Sequence, residues 1–369
     1  MKSNCMSMRT GLAILMLLLS TGAANAQQHY SMNLLGFAPF SATSYYINGI
    51  NNNGDVVGYD SAIDGAYLYH NGAVSSLGFS SAAGVAINSH GFVAVRSWGT
   101  DLHSYLYTPG LLRWFVPRFT DLGTLGGSGG LNNTGQTVAQ AMNENRTIVG
   151  TSTITAPTLT WHAFSWSAGH MTDLGTLSPG GWSNANAINS LGQIAGDSFA
   201  NGIDRAFRMV NGVMTDLDPA NHNYNSSAVA INDSGQIVVT TDAAWQLVPV
   251  PPFSFKFVAY PGPITYTQIY SNGAFTNIGN LGYNDYVLGY HINSAGDVVG
   301  TAHNPVDGHG HGFIYHAGSI TDLNDVVINL SGWRISLAYR INDYGEIVAW
   351  VHNDTTEQWQ TAVLLPIFD

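Results

Sequence analysis

A turn motif of the form Ile-Asn-x-x-Gly recurs along the whole chain, and it constrains the fold more than any other feature of the sequence. Successive motif asparagines are 37 to 61 residues apart, and self-similarity at this period is typical of repeat architectures. Glycine follows three positions after the asparagine in six copies, whereas the third copy has Arg146 there. The motif asparagines are Asn51, Asn88, Asn143, Asn189, Asn232, Asn293 and Asn342.

Each copy predicts a hairpin followed by two further strands. Asparagine can bond its own backbone two residues on, and glycine accepts the positive φ of a tight turn, so one strand ends at Ile-Asn and another begins after the glycine. A third segment carries large side chains, as in residues 162–166, and a fourth resembles residues 171–175. Four short strands in roughly 49 residues match the size of a β-propeller blade.

The distribution of side-chain sizes supports the same architecture. One predicted first strand is rich in small residues, namely Ala82, Ala83, Gly84 and Ala86, whereas the third strands carry Tyr, Phe and Trp. Blades converge at the axis and diverge outward, so inner strands need small residues and outer layers need bulk. The sequence therefore predicts an all-β propeller, with seven four-stranded blades. A further near-match to the motif at residues 131–136 leaves a count of eight open.

The two ends of the chain predict how the ring closes. Residues 30–36 resemble a fourth strand with no blade before it, and the last unit stops after a third strand near residues 361–365. Pairing of these two segments would remove two exposed sheet edges, so we expect the N-terminal strand to complete the last blade. Five prolines between about residues 242 and 265 indicate an insertion in the fifth unit.

The first 26 residues resemble a cleaved signal peptide. A basic segment with Lys2 and Arg9 precedes an apolar run, and Ala24-Asn25-Ala26 provides a cleavage site. Residues 27–369 are then expected to form a single propeller domain, exported to the periplasm, the cell surface or the medium. The only cysteine, Cys5, leaves with the signal, so no disulfide is expected in the mature protein.

The charge balance bears on the choice of partners. Without Lys2 and Arg9, 9 basic residues remain against 23 acidic ones. Such a surface repels phosphate backbones, so nucleic acid is not an expected partner. We expect a monomer with no membrane insertion and no cofactor, and with a glycan or a protein as its ligand.

Three motifs together resemble the extracellular HAF-repeat proteins of bacteria. They are His162-Ala163-Phe164, the segment at residues 172–177, and the Ala-Ile-Asn-x-x-Gly-Gln-Ile turn. His-Ala-Phe itself occurs once, and other units have Ala-Tyr, Ser-Tyr, Ala-Phe or Gly-Phe. The resemblance implies an exported bacterial repeat protein and brings no reaction or catalytic residue with it.

Aromatic residues outside the predicted third strands are the first candidates for ligand contact. Exposed tryptophans present flat faces that suit sugars or peptide anchors, although most are expected to cap blade cores. We select Trp98 and Trp182, which lie on connections that could reach one face of the ring, and Trp245, which lies in the proline-rich insertion. The tryptophans assigned to loops, insertions or irregular stretches are Trp98, Trp114, Trp182, Trp245, Trp333 and Trp359.

A histidine cluster is the candidate metal site. His303, His309 and His311 lie within nine residues of one another, and imidazole nitrogens bind zinc or copper. The alternative is a polar, glycine-rich turn between two strands. Gly126-Gly127-Ser128-Gly129-Gly130 matches the pattern of a nucleophile elbow, but no helix pattern follows it, so we interpret it as a link between blades. No residue is assigned a catalytic role.

Three functions fit a propeller of this kind, because the fold hosts many activities. The preferred one is a non-enzymatic binding or scaffold module for an extracellular ligand. The alternatives are a glycan-active hydrolase or lyase, and a purely structural surface protein. An enzyme should carry an off-repeat cluster of Asp, Glu, His or Arg at the mouth of the channel, whereas a binding protein should carry a groove lined by Trp and Tyr.

Overall fold

The chain folds into seven four-stranded antiparallel sheets arranged as the blades of a β-propeller, which confirms the predicted fold and the count of seven. The computed structural model describes residues 28–35, 49–60, 63–98, 102–110, 117–126, 135–155, 160–219, 224–242, 248–250, 254–256, 265–282 and 286–367. The predicted signal peptide lies outside the described residues, as do residues 127–130 of the glycine-rich link and residues 131–134 of the additional near-match.

The strands follow the repeat along the chain, and each blade is numbered by the order of its turn motif. Strand β1 (His29–Leu34) belongs to blade 7. Blade 1 consists of β2 (Gly49–Ile50), β3 (Val56–Asp60), β4 (Gly65–His70) and β5 (Ala73–Ser80). Blade 2 consists of β6 (Ala82–Ile87), β7 (Val93–Ser97), β8 (Ser104–Thr108) and β9 (Arg118–Asp121). Blade 3 consists of β10 (Thr137–Met142), β11 (Ile148–Ile154), β12 (Thr160–Ser167) and β13 (His170–Asp173).

The remaining blades contain one additional hairpin and one short helix. Blade 4 consists of β14 (Ser183–Ile188), β15 (Ile194–Ala200), β16 (Ile203–Val210) and β17 (Val213–Asp216). Blade 5 consists of β18 (Asn225–Ile231), β19 (Ile237–Asp242), β22 (Tyr266–Ser271) and β23 (Ala274–Asn277). Between β19 and β22 the chain forms a separate hairpin of β20 (Val248–Val250) and β21 (Ser254–Lys256). Blades 6 and 7 consist of β24 (Val287–Ile292), β25 (Val298–Asn304), β26 (His309–His316), β27 (Ser319–Asp322); and, after helix α1 (Leu323–Val326), β28 (Trp333–Ile341), β29 (Ile347–Asn353) and β30 (Gln358–Ile367).

The turn motif forms through its own asparagine, as the sequence predicts. In blade 4 the side-chain Oδ1 of Asn189 accepts hydrogen bonds from the backbone N–H of Leu191 at 3.1 Å and of Gln193 at 2.9 Å. Gly192 adopts a φ of 77°, a left-handed conformation that favours glycine. The same bonding pattern recurs in other blades, so the asparagine determines where the first strand ends and the second begins.

The seven motif asparagines also link the blades into a closed ring, which we call the turn belt. Asn189 Nδ2 donates to the carbonyl of Asn232 in the next blade at 3.0 Å, and Asn342 in the last blade donates to the carbonyl of Asn51 in the first, also at 3.0 Å. Equivalent bonds join the other neighbours, with the Asn88 side chain bonding the carbonyl of Glu144. The turn belt holds one end of every blade.

The first strand of each blade is the innermost one. Strands β2, β6, β10, β14, β18, β24 and β28 contact one another in order around the ring, and β28 contacts β2. The third strands supply the bulk farther out, where Tyr67, Phe164, Phe207 and Phe313 are fully buried. In blade 4 a side chain at Gly196 would meet the ring of Phe207 at 2.8 Å, so the glycine of the second strand leaves room for the aromatic side chain of the third.

Strand β1 closes the ring by pairing with β30, as predicted. His29 lies opposite Ile367 and Leu34 opposite Ala362, in antiparallel register. The side chains of Tyr30 and Met32 are buried in the core of blade 7. The chain thus enters the last blade as its outermost strand. Among the described residues no helix is long and apolar enough to cross a membrane.

Candidate functional site

The structure places the two described candidate tryptophans on different blades. Trp98 follows the second strand of blade 2, is half-buried, and packs edge-on against Tyr59 with ring centroids 4.9 Å apart. Trp182 precedes the first strand of blade 4, is also half-buried, and its carbonyl accepts the backbone N–H of Phe199 at 2.9 Å. Trp245 lies outside the described residues.

Two further tryptophans differ from the expectation that they lie in irregular segments. Trp333 begins β28 and Trp359 lies in β30. The Trp359 ring packs on His352, with ring centroids 4.5 Å apart. The prediction was wrong because the strands of blade 7 are longer than those of most other blades, and β30 contains ten residues.

The three candidate metal-binding histidines do not share one face of their sheet. Directly paired residues of neighbouring strands lie on the same face, and successive residues alternate. His303 pairs with Gly310, whereas His309 pairs with Asn304, so His309 and His311 lie on the face opposite to His303. The His303 ring stacks on Tyr286 with centroids 5.3 Å apart. The described part of the chain contains no group of three His, Cys, Asp or Glu side chains able to hold a metal ion.

His311 instead belongs to a cross-strand pair that explains the His-Ala-Phe motif. Its Nδ1 lies 2.5 Å from the carboxylate of Asp322. Asp322 pairs in register with Phe313, which follows His311 by two residues on the same strand. His162 makes the same contact with Asp173 at 3.0 Å, and the Asp173 carboxylate also accepts the backbone N–H of Gly175. The histidine of the third strand thus fixes the end of the fourth strand. Its role in these blades is structural.

His311 differs from His162 because a second carboxylate contacts it. Nε2 of His311 lies 2.8 Å from Asp307. Burial of the imidazole lowers its pKa, but the hydrogen bonds to Asp322 and Asp307 outweigh that effect, so the pKa of His311 is raised overall. Nearby in blade 7, hydrogen bonding to Arg334 lowers the pKa of Asp354 to about 2. These pairs hold the connections between the second and third strands of blades 6 and 7.

The innermost strands contain a departure from the repeat in blades 6 and 7. Two positions before the motif asparagine, the first five blades have small residues: Gly49, Ala86, Ala141, Ala187 and Ala230. A side chain at Gly49 would meet the Cα atom of Ala86 at 2.9 Å, so this position faces the neighbouring inner strand at close range. Blade 6 has His291 at this position and blade 7 has Arg340.

The residue three positions before the motif asparagine also departs from the repeat in blades 6 and 7. It is the extra residue of a β-bulge in six inner strands. Tyr290 and Tyr339 occupy it in blades 6 and 7, with their rings 5.5 Å apart. Trp350 of the second strand of blade 7 lies parallel to Tyr339 at 6.4 Å. We call Tyr290, His291, Tyr339, Arg340 and Trp350 the axial cluster.

His291 is a neutral imidazole within the axial cluster. Burial lowers its pKa to about 3, and the positive charge of Arg340 acts in the same direction. Its Nδ1 lies 3.0 Å from the carbonyl of Ile341, which can only accept, so Nδ1 carries the proton. Nε2 is therefore a hydrogen-bond acceptor, and it has no partner among the described residues.

Arg340 provides the positive charge of the axial cluster. Its Cζ lies 4.3 Å from the centre of the Tyr339 ring, a cation–π distance. One nitrogen, Nη1, donates to the carbonyl of Tyr339 at 3.1 Å. No carboxylate of the described residues pairs with this guanidinium. By contrast, Arg334 lies 2.9 Å from Asp354.

Trp350 adds an unpartnered donor beside these groups. Its indole Nε1 is buried and has no hydrogen-bond partner within the described part of the chain. The axial cluster therefore combines three aromatic rings, a cation without a counter-ion, a donor and an acceptor. It contains no carboxylate, so it lacks the acid and base pair of a typical glycosidase. This combination suits recognition of a ligand.

A buried carboxylate occupies the inner region of blade 4. Asp197 accepts hydrogen bonds from Asn186 at 2.6 Å and from Ser227 of blade 5 at 2.8 Å. Burial nevertheless raises the pKa of Asp197 to about 6. Blade 4 is separated from blade 6 by blade 5, and Asp197 fills the position that Trp350 fills in blade 7.

One cavity of about 520 Å³ lies away from the axial cluster. It is situated between the outermost strand of blade 7 and blade 1, with Leu34, Tyr69 and Trp333 in its wall. It is bordered in sequence by residues 36–48, which lie outside the described residues. None of the sequence-predicted site residues lines it.

The sequence contains the signal for the axial cluster, although residue-by-residue reasoning missed it. Blades 6 and 7 have Tyr-His-Ile-Asn and Tyr-Arg-Ile-Asn where most other blades have Ala-Ile-Asn or Ala-Met-Asn. An alignment of the seven units on the motif asparagine exposes both departures at once. The histidines around His309 are close together in the sequence, whereas the axial cluster is assembled from separate repeats.

Comparison with known proteins supports the fold. The sequence matches no family profile and no curated protein. The structure is similar to virginiamycin B lyase from Staphylococcus aureus, with a TM-score of 0.52 and 13% identity, over 92% of this chain and 100% of the lyase. It is also similar to the β-propeller domain of the Trilobed protease from Pyrococcus furiosus, with a TM-score of 0.52 and 11% identity, over 88% of this chain and 94% of that domain.

These similarities establish a propeller and no activity, because the identities are low. The protease domain is described as having an open velcro topology. The present ring is instead closed by hydrogen bonds between its first and last strands. The chain is therefore a seven-bladed β-propeller whose first strand completes its last blade.

Proposed function

We propose that the chain is an exported, non-enzymatic propeller of the HAF-repeat type that binds an extracellular glycan or protein. The axial cluster is the proposed contact surface. Export rests on the N-terminal signal pattern, and the assignment to HAF repeats rests on the three motifs described above. Binding rests on the composition of the cluster.

One observation carries the proposal. The fold favours small residues two positions before the motif asparagine, because inner strands approach one another closely there. His291 and Arg340 occupy that position in blades 6 and 7, beside Tyr290 and Tyr339. Packing alone gives no reason for a charged guanidinium at the centre of a ring when no carboxylate of the described residues pairs with it. Contact with a ligand would explain why the guanidinium is there.

The experiment measures retention of residues 27–369 on panels of glycans, peptides and cell-wall fractions. The variant Tyr339→Ala removes the ring on which Arg340 lies and which stacks with Trp350. We expect the native chain to be retained on at least one ligand, with a loss of at least about tenfold in affinity for the variant, since an aromatic anchor commonly contributes 2 kcal/mol or more.

A matched control removes the same type of side chain elsewhere on the surface. Tyr224 is exposed between blades 4 and 5, so Tyr224→Ala should retain native binding. Thermal unfolding of both variants separates loss of binding from loss of fold. Unchanged retention of a folded Tyr339→Ala chain would refute the axial cluster as the contact surface. Release of products from a retained glycan would favour the alternative of a hydrolase or lyase.

A further inference from the structure

We infer that the axial cluster recognises a sugar that carries a single carboxylate, with Arg340 on the carboxylate and the aromatic rings on the sugar face. This inference rests on the proposed function and specifies the class of its ligand. It depends on the charge states of Arg340, His291 and the nearby Asp343, and on which hydrogen-bonding atoms of the cluster remain available.

Arg340 has donor nitrogens that no acceptor of the described residues uses. Only Nη1 has an acceptor, the carbonyl of its neighbour Tyr339, whereas Nη2 and Nε have none among the described residues. A guanidinium presents its nitrogens as a planar fork that matches a carboxylate in bidentate fashion. The chain has 23 acidic residues against 11 basic ones. Because carboxylates outnumber cations, a guanidinium that none of the described carboxylates pairs with is unusual.

The other charged groups near Arg340 leave its charge in place. His291 is neutral because burial and Arg340 itself disfavour its protonation. Asp343 is close enough to interact electrostatically with His291, but its carboxylate accepts hydrogen bonds from the backbone of Ser294 and the side chain of Asn52. Asp343 is thus committed to bonds between blades on the turn side of the ring.

The remaining atoms of the cluster fit the hydroxyl groups of a sugar. The Nε2 atom of His291 can accept a hydrogen bond from a sugar hydroxyl. A sugar acid provides a carboxylate, hydroxyl donors and acceptors, and a flat carbon face within one residue. The parallel rings of Tyr339 and Trp350 offer apolar faces for that carbon face.

The overall charge restricts the ligand to one or few carboxylates. The formal net charge of the chain is −12, so a polyanion would be repelled over the whole surface. A single carboxylate is attracted locally by Arg340 and suffers less of that repulsion. A neutral glycan with an occasional uronic acid satisfies both conditions.

The test compares acidic sugars with their neutral counterparts by calorimetric titration of residues 27–369. The probes are methyl glucuronide and methyl galacturonide, each paired with the corresponding neutral methyl glycoside. We expect at least one acid to bind at least tenfold more tightly than its neutral counterpart, and the difference to shrink as salt is added. Arg340→Gln should abolish this preference, and Arg340→Lys should retain part of it.

The matched control removes the same charge from the outside of the ring. Arg118 is exposed on the outermost strand of blade 2, so Arg118→Gln should leave the preference unchanged. The inference is overturned if neither acid is preferred, if Arg340→Gln retains the preference, or if a peptide carboxylate is bound in place of the sugar acids. Retention on a neutral glycan that Tyr339→Ala abolishes would then preserve the proposed function without its charge requirement.

Discussion

The asparagines of the turn belt show how one side chain can define a turn and join two blades. Asn189 accepts two backbone hydrogen bonds within its own turn and donates to Asn232 of the next blade at 3.0 Å. It is 3% exposed, so water cannot replace these partners. The amide is needed because it carries both acceptor and donor groups, and aspartate would lack the donor.

Replacement of Asn189 by alanine should therefore destabilise the protein strongly. The variant loses a bond between blades and leaves buried backbone groups without partners, which predicts a loss of about 2–4 kcal/mol in the free energy of unfolding. Denaturant unfolding measures it. Leu191 in the same turn is 71% exposed, so Leu191→Ala is the control and should change stability little. Equal effects of the two variants would contradict this role for the amide.

Asp197 predicts a pH dependence of stability. Its folded-state pKa, about 6, lies above the ordinary value of 3.8 because the carboxylate is buried. The ionised form therefore lowers stability, and this cost is absent at acidic pH and complete above the folded-state pKa. Asp197→Asn should raise the free energy of unfolding by about 1–3 kcal/mol at pH 7.5 and should give no gain at pH 4.

Unfolding curves at the two pH values provide the measurement for Asp197→Asn. Asp233 lies in a turn and bonds the backbone of Ser190 at 2.8 Å, so Asp233→Asn serves as a control with the same change in charge. A gain of stability that is equal at both pH values would show that the raised pKa is not its cause.

At the level of strands, the features that depend on nearby residues could be predicted from the sequence. The turn asparagines, the turn glycines and the alternation of small and aromatic strands follow from contacts within about 50 residues. The faces on which His303 and His309 lie do not follow, because they depend on the register of β25 with β26. The axial cluster was missed because Tyr290 and Tyr339 meet only once two blades are placed side by side.

Strand β1 makes an element-level prediction. It buries Tyr30 and Met32 and covers the edge of β30, which would otherwise be exposed. Deletion of residues 28–35 should lower the free energy of unfolding by at least about 3 kcal/mol, since two large side chains lose their burial. A synthetic peptide of residues 28–35 should restore stability when it is added in excess.

Thermal unfolding with and without the peptide checks this prediction. A peptide with Tyr30 and Met32 replaced by serine keeps the length but loses the apolar side chains, so it should restore little. If the truncated chain is as stable as the native one, pairing of β1 with β30 does not contribute to the stability of the ring.

The whole molecule behaves as a ring in which the position of the termini is arbitrary. His29 lies opposite Ile367, so the start of β1 and the end of β30 are adjacent, as the ends of the third and fourth strands are in every other blade. In blade 4 the turn at Asn211-Gly212 makes this connection with positive φ at both residues. The contacts between inner strands and the turn belt run through blade 7 as they do through the other blades.

A circular permutant tests this equivalence. Residue 367 is joined to residue 28 through Asn-Gly, and the chain is opened between Asn211 and Gly212, so that β17 becomes the closing strand. The permutant should fold with a free energy of unfolding close to the native value, because termini that are adjacent in space tolerate rejoining. Circular dichroism and denaturant unfolding provide the measurement. A permutant opened between Ile194 and Ala195, inside a buried strand, should fail to reach native stability.

Because β1 pairs with β30, the ring can close only after the last strand has been synthesised. Gln28 bonds the carbonyl of Ile367, a contact that spans 339 positions of the chain. A ribosome that has delivered the first blade must still make the other six before β1 finds its partner. Contacts this distant in sequence form late and slowly. Throughout that interval the nascent protein carries one strand whose partner has not yet been made.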